Sequence, residues 1–313
     1  MIALGELRKY LKKWGFNSVP SKNWIYWLRA NGRADGALLL KGKYSVSGYD
    51  LNETALASFE GESAFHSKAN PSAVVDSSDV IILMLPDSNV VDQLLWGDSK
   101  SKGIAEQLNS EQVLIDMGSS DPVRTRANAE KLMALGIGFV DAPVSGGVKR
   151  AVDGTLSIMI GGGESTVATV TPILSAMGKT LTHVGPNGAG HAVKALNNYV
   201  SASGLLAVCE ALVAAQKFGI DPHLANKVFN TSTGKNNTTD VKVENFMLSG
   251  TYASGFSLSL MRKDLQTALD FIDRMGTPDD FAKQCVITWK AAEGSLTKGA
   301  DHTAMYKFIS DQQ

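Results

Sequence analysis

The sequence predicts an α/β half, built on a mostly parallel sheet covered on both faces, followed by an all-helical half. Three observations carry this. Between Ala37 and Gly185, short apolar strands alternate with helical stretches of about 10 to 15 residues, a pattern that requires crossover connections and parallel pairing. After Gly185 the strand signal stops, and Ala-, Leu- and Val-rich stretches follow, interrupted at Pro222, Gly234, Gly250 and Pro278. Residues 1–36 fit neither half, so the expected organisation is 1–36, 37–185 and 186–313.

Each element has a local reason. Tyr44 to Asp50 reads as a strand, and Asn52 to Phe59 as a short helix with Asn52 as its cap. Val80-Ile-Ile-Leu-Met-Leu85 is a continuous apolar run bounded by Pro86, the pattern of a strand buried on both faces. Val90 to Leu108 reads as helical, Val113 to Asp116 as a strand, Val123 to Leu135 as a helix and Gly138 to Asp141 as a strand. His191 to Phe218 reads as a long helix with Gly204 as its only interior glycine.

The chain has 313 residues with 30 Lys+Arg against 31 Asp+Glu, room for two ordinary domains and one small-molecule site. Near-zero net charge without a basic stripe argues against nucleic acid, which needs clustered Lys and Arg to neutralise phosphates. The run from Val80 to Leu85 is too short to span a bilayer, so no membrane partner is expected. Two cysteines, Cys209 and Cys285, give neither a disulfide framework nor a CxxC metal pair. A reducing compartment, the cytoplasm, is the expectation. Residues 1–36 carry seven basic residues against two acidic ones and three of the five tryptophans. A basic, acid-poor opening keeps a mitochondrial transit peptide as an alternative, although Trp, Tyr and scattered Gly fit it poorly.

In an open parallel sheet, ligands bind beyond the carboxyl ends of the strands. Asp50 ends its strand where a dinucleotide fold puts an acid for the adenosine ribose hydroxyls; a turn or cap role is the bland alternative. Leu85-Pro86 and Ser119 follow the next two strands and are candidates for the same groove, or plain turn formers. Asp141-Ala-Pro-Val-Ser-Gly-Gly147 exposes main-chain N–H groups at Ser145, Gly146 and Gly147, which suits a carboxylate or phosphate as well as an ordinary glycine turn. Lys194 and Asn198 stand four apart and share a helix face. A desolvated lysine there would have its charged form disfavoured, as general acid–base work requires, whereas a snorkelling surface lysine would not. No metal site is read.

Taken in order, Tyr49-Asp50, Met84-Leu85-Pro86, Asp116-Met-Gly-Ser119, Asp141-Ala-Pro-Val-Ser-Gly-Gly147, Gly154-Thr-Leu156, Lys194-Ala-Leu-Asn-Asn198 and Lys263-Asp264 resemble the β-hydroxyacid dehydrogenase family, from Ala37 to beyond Lys263. The resemblance implies a Rossmann-type doubly wound sheet plus an all-α domain, and NAD(P)-dependent oxidation of a small hydroxy acid. It implies Lys194 as the catalytic lysine, Asn198 as its substrate-orienting partner and Ser145, Gly146 and Gly147 as the carboxylate-binding turn. It also implies that Lys263 approaches the cofactor, with Phe256 nearby, and that the protein is a homo-oligomer. NAD is expected through Asp50, with NADP as the alternative. Lys194-Ala-Leu-Asn-Asn198-Tyr199 and Ser232-Thr-Gly-Lys-Asn-Asn-Thr-Thr239 look more like the L-threonate dehydrogenase branch than the 3-hydroxyisobutyrate branch.

One part of the pattern is missing. A dinucleotide fold needs a first strand and a GxGxxG-like turn before Tyr44, because only glycine lets the backbone approach the pyrophosphate. Residues 1–36 hold no such turn. Read one nucleotide forward, the Trp24 and Trp27 codons each force a glycine, and permitted codons for the rest give Gly-Phe-Ile-Gly-Leu-Gly-x-Met-Gly-x-x-Met-Ala. The expectation is therefore that residues 1–36 are translated out of frame and that the first strand and its glycine turn are lost. A divergent but genuine N-terminus is the alternative.

Overall fold

The structure, a computed structural model, describes residues 24–27, 30–99 and 101–312. The chain divides into two compact units between His191 and Ala192. In the first, the described residues form one nine-stranded sheet: β1 (Trp24–Trp27), β2 (Val46–Tyr49), β3 (Phe65–Ser67), β4 (Val80–Leu83), β5 (Val113–Asp116), β6 (Gly138–Asp141), β7 (Val144–Ser145), β8 (Leu156–Gly161) and β9 (Gly178–Gly185). The order is β3-β2-β1-β4-β5-β6-β8-β7, with β9 on β8. The first six strands pair in parallel as 3-2-1-4-5-6, the doubly wound arrangement whose direction switches between β1 and β4. β8 runs antiparallel to β6 and β7.

β1 corrects one expectation. Trp24–Trp27 pairs in parallel with Val46–Tyr49 on one side and with β4 on the other, so the first strand is present at the centre of the sheet. A ladder asks only for main-chain N–H and C=O groups, and Trp, Ile and Tyr are strong strand formers. The missing glycine turn is expected after this strand, where residues 28 and 29 lie outside the described residues. The helix after it, α1 (Ala30–Lys41), runs across the expected boundary at residue 36.

The helices of this unit are α1, α2 (Glu53–Ala57), α3 (Pro71–Val75), α4 (Ser88–Trp96), α5 (Pro122–Ala134), α6 (Gly147–Val152) and α7 (Glu164–Met177). Asn52 caps α2 as expected, its side chain accepting from the Thr54 N–H. The helix expected from Val90 to Leu108 is shorter: α4 stops at Gly97, whose φ of +76° ends it, and among the described residues that follow there are an isolated bridge between Gly97 and Lys102 and a single turn at Ala105–Gln107. The apolar run at Val80 is explained by burial on both faces. Val80, Ile82 and Met84 join one core cluster, whereas Ile81, Leu83 and Leu85 join the other.

The second unit contains most of α8 (Ala189–Lys217), then α9 (Pro222–Thr231), a π-helix (Thr238–Leu248), α10 (Leu258–Arg274), α11 (Asp280–Ser295) and α12 (Met305–Asp311). Leu205, Cys209 and Leu212 of α8 pack with Val243, Leu265, Trp289 and Met305. Each sits on a different helix turn facing inward, and Trp289 is completely buried. By length and composition alone α8 would pass for a membrane span, which the apolar run at Val80 would not; 44% of its most apolar window is buried inside the protein.

Candidate active site

The carboxyl ends of the parallel strands carry the expected groups of the first unit. Asp50, directly after β2, is 9% exposed. Its Oδ1 accepts from the Asn52 N–H at 2.7 Å, while Oδ2 is buried and has no partner among the described residues. A buried carboxylate oxygen left unpaired at a ribose position fits a dinucleotide, whose hydroxyls would satisfy it. Leu85 departs from the expectation in one respect: its side chain lies in the core, so only its main chain is available to a ligand. Pro86 and Ser119 are half-buried on the loops after β4 and β5. Gly146 and Gly147 are exposed at φ of +140° and +68°, conformations that side chains rarely adopt, so the Ser145-Gly-Gly turn needs both glycines.

Asp141, which opens that motif, faces elsewhere. It is fully buried, and its carboxylate accepts from the Gly188 N–H at 2.7 Å and the His191 N–H at 3.0 Å, capping the first turn of α8. The His191 ring lies between two buried carboxylates, 3.9 Å from Asp141 and 3.8 Å from Asp116. Its Nδ1 bonds the Thr125 hydroxyl at 2.9 Å. Asp116 is held in turn by the Gly118 N–H and the Ser120 hydroxyl. Burial pushes the Asp141 carboxyl above its ordinary range; His191 and the two N–H donors pull against that shift. Sequence reasoning saw Asp116 and Asp141 as strand ends and gave them no partner. Asp141→Asn leaves one of the two N–H donors facing an amide NH2, so unfolding free energy measured in urea should fall by about 1–3 kcal/mol.

In the second unit the expected residues do meet. Asn198 of α8 is buried and donates to Asp264 of α10 at 2.6 Å. The other Asp264 oxygen lies 3.3 Å from the Lys263 ammonium. Lys194, half-buried one helical turn before Asn198, has its pKa pulled below the ordinary lysine value by desolvation. Asp264 acts against the shift and Lys263 with it. A lysine in this state exchanges a proton more readily than a surface lysine does. Asp264 is the member that sequence reasoning named without a role; it ties together Asn198 and Lys263, both expected at the site. Phe256 lies just before α10, its ring edge-on to His302 at 5.7 Å.

The chain is similar to known proteins along both units. A family model described as the NAD binding domain of 6-phosphogluconate dehydrogenase matches residues 33–185. A second, described as NAD-binding of NADP-dependent 3-hydroxyisobutyrate dehydrogenase, matches residues 188–309. Among curated relatives, 2-(hydroxymethyl)glutarate dehydrogenase of Eubacterium barkeri is 36% identical over 78% of this chain and 79% of its own. The 2-hydroxy-3-oxopropionate reductase of Escherichia coli is 34% identical over 75% and 80%. Human mitochondrial 3-hydroxyisobutyrate dehydrogenase is 30% identical over 88% and 82%. A solved structure of Mycobacterium tuberculosis 3-hydroxyisobutyrate dehydrogenase with L-serine aligns with a TM-score of 0.81 at 27% identity, covering 92% of this chain and 99% of that one. The cofactor of such a chain is NAD or NADP. The ordered motifs, the 3-2-1-4-5-6 sheet and these similarities lead to one conclusion: the chain belongs to the β-hydroxyacid dehydrogenase family.

Proposed function

We propose that the protein oxidises the alcohol of a small hydroxy acid with NAD, with Lys194 as general acid–base. The observation that carries this is the desolvated Lys194 beside the Asn198–Asp264–Lys263 cluster. Lys194 takes the hydroxyl proton in oxidation and returns it in reduction; Asn198 orients the substrate; the main-chain N–H groups of Ser145, Gly146 and Gly147 hold its carboxylate. Lys263 and Phe256 serve the cofactor from the helical unit. A bound nicotinamide supplies the hydride acceptor. The substrate class is of the L-threonate or 3-hydroxyisobutyrate type, with a four-carbon sugar acid favoured by the Asn198-Tyr199 and Ser232–Thr239 patterns. We place the protein in the cytoplasm as a homo-oligomer. Val200, Leu224, Val228, Phe281 and Ile287 leave large apolar side chains exposed on its helices, which supports the oligomer. The test is to follow nicotinamide absorbance with NAD and NADP against L-threonate, 3-hydroxyisobutyrate and 2-(hydroxymethyl)glutarate. No turnover with any of them would remove the reading.

NAD over NADP rests on Asp50, whose negative charge would repel a 2′-phosphate. Asp50→Ser should raise the KM for NAD about tenfold, the worth of one hydrogen bond to a charged group, and narrow the preference over NADP. An unchanged ratio of the two kcat/KM values would take Asp50 out of this role.

A second reading has its own observation: residues 27–36 contain only Gly32 and Gly36, not a GxGxxG turn. As written, the chain is then a non-catalytic relative that lost its pyrophosphate donors, and the out-of-frame origin of residues 1–36 is our account of how. Titration with NAD separates the readings, and an uninterrupted transcript frame across codons 20 to 40 would overturn the frame account.

A further inference from the structure

A second polar cluster of the helical unit gathers around Asp301. Both carboxylate oxygens are fully engaged. Oδ1 accepts from the Ser254 hydroxyl at 2.8 Å, the Thr303 N–H at 2.9 Å and the Thr303 hydroxyl at 2.6 Å. Oδ2 accepts from the Ser254 hydroxyl at 2.9 Å, the Gly255 N–H at 2.9 Å and the Phe256 N–H at 3.2 Å. The neighbouring main chain closes the clamp. His302 N–H donates to the Phe256 carbonyl at 2.9 Å, and Leu258 N–H donates to the Ala300 carbonyl at 2.8 Å. The ring Nδ1 of His302 lies 3.0 Å from that same Phe256 carbonyl. Burial would raise the Asp301 pKa, but the bonds from His302, Thr303 and Ser254 outweigh it and hold the carboxyl below its ordinary range.

The clamped segment is the entrance to α10. Ser257 caps that helix, its hydroxyl accepting from the Leu260 N–H. Just upstream, Tyr252 sits at φ +44°, a conformation that a bulky residue holds only under restraint. Less than two turns into the same helix stand Lys263 and Asp264. An unbroken helix carries a displacement at its first turn to its second, and about 1 Å of misplacement is enough to cost catalysis heavily.

We infer that Asp301 is a positioning residue for the dehydrogenase reaction: by fastening Ser254 to Phe256 it seats α10, and so places the Asp264 carboxylate that holds Asn198 and acts on Lys194. This rests on the functional reading above, but not all of its test does. The charged groups acting on Lys194 are Asp264 and Lys263, both on α10. Loosening α10 therefore disturbs both charges that act on the ammonium, and the Lys194 pKa changes with them.

The experiment compares the full-length protein with Asp301→Asn and Ser254→Ala. Asp301→Asn should lower kcat/KM at least tenfold and displace the acid limb of the pH–rate profile, with Ser254→Ala showing the same changes more weakly. Amide hydrogen exchange should rise in peptides covering 254–264 and also in those covering 194–198. An acid limb that stays in place, with faster exchange confined to 300–303 and a lower Tm, would overturn the inference and leave a purely stabilising clamp. Should Asp301→Asn fail to fold, Ser254→Ala and Thr303→Val each loosen one flank and decide it by the same readouts. Absence of turnover in the unaltered protein would defeat the functional reading alone, because hydrogen exchange still reports whether Asp301 and the Lys194–Asn198 turn are coupled.

Discussion

Lys194→Ala should reduce turnover by roughly a hundredfold or more, the typical loss when a general acid–base is removed. Cofactor affinity should hardly change, because Asp50 and the strand-end loops of the sheet are untouched. The pH behaviour gives the same residue a second, independent signature. Desolvation holds the folded pKa below the unfolded one, so the unfolded chain binds this proton more tightly. The penalty is fully present below the folded pKa and disappears as pH rises towards the unfolded value. Lys194→Met should therefore melt no lower than the unaltered protein at pH 7, and its advantage should shrink as the pH is raised. Catalytic loss without loss of stability marks a residue kept for chemistry. Full activity in Lys194→Ala would remove it from the mechanism.

Gly190→Ala should be among the most destabilising single-methyl changes in the first unit. A Cβ at residue 190 would lie 2.6 Å from the Met159 carbonyl, 2.8 Å from Asp141 Oδ2 and 2.9 Å from the Asp141 carbonyl. Two of these are backbone atoms, and the third is fixed by the Gly188 and His191 N–H groups. Helix propensity would favour alanine by about 1 kcal/mol. Overpacking of a rigid site should outweigh that gain, for a net loss of about 2–3 kcal/mol. For a chain of this size, that corresponds to a fall in Tm of roughly 3–5 °C. Gly204→Ala on the same helix is the control. Its added methyl would meet only the Asn236 side chain, at 3.7 Å, so it should be neutral or slightly stabilising. Equal melting of the two variants would show that the close approach at Gly190 is tolerated.

Much of this was legible along the chain. β5 and β6 coincide with the runs Val113–Asp116 and Gly138–Asp141, because a strand buried on both faces is written as continuous apolar sequence. The long helix at His191 and the cap at Asn52 are equally local. β9 was not legible. Its residues Gly178-Lys-Thr-Leu-Thr-His-Val-Gly185 are largely exposed, and no apolar alternation marks them. β1 was misread because a missing glycine turn was taken to mean a missing strand, whereas the ladder does not need that turn.

By itself the sequence determined a mostly parallel sheet followed by a helical half, and it singled out Lys194, Asn198, Asp50 and the Ser145-Gly-Gly turn as candidates. Those depend on periodicity and on motifs whose members lie a few residues apart. Only the tertiary structure decided who partners them. Asp141 meets Gly188 across 47 positions, Asn198 meets Asp264 across 66, and Asp301 meets Phe256 across 45. A hydrogen bond between such distant residues exists only once the fold has removed both from water, and no local pattern records it.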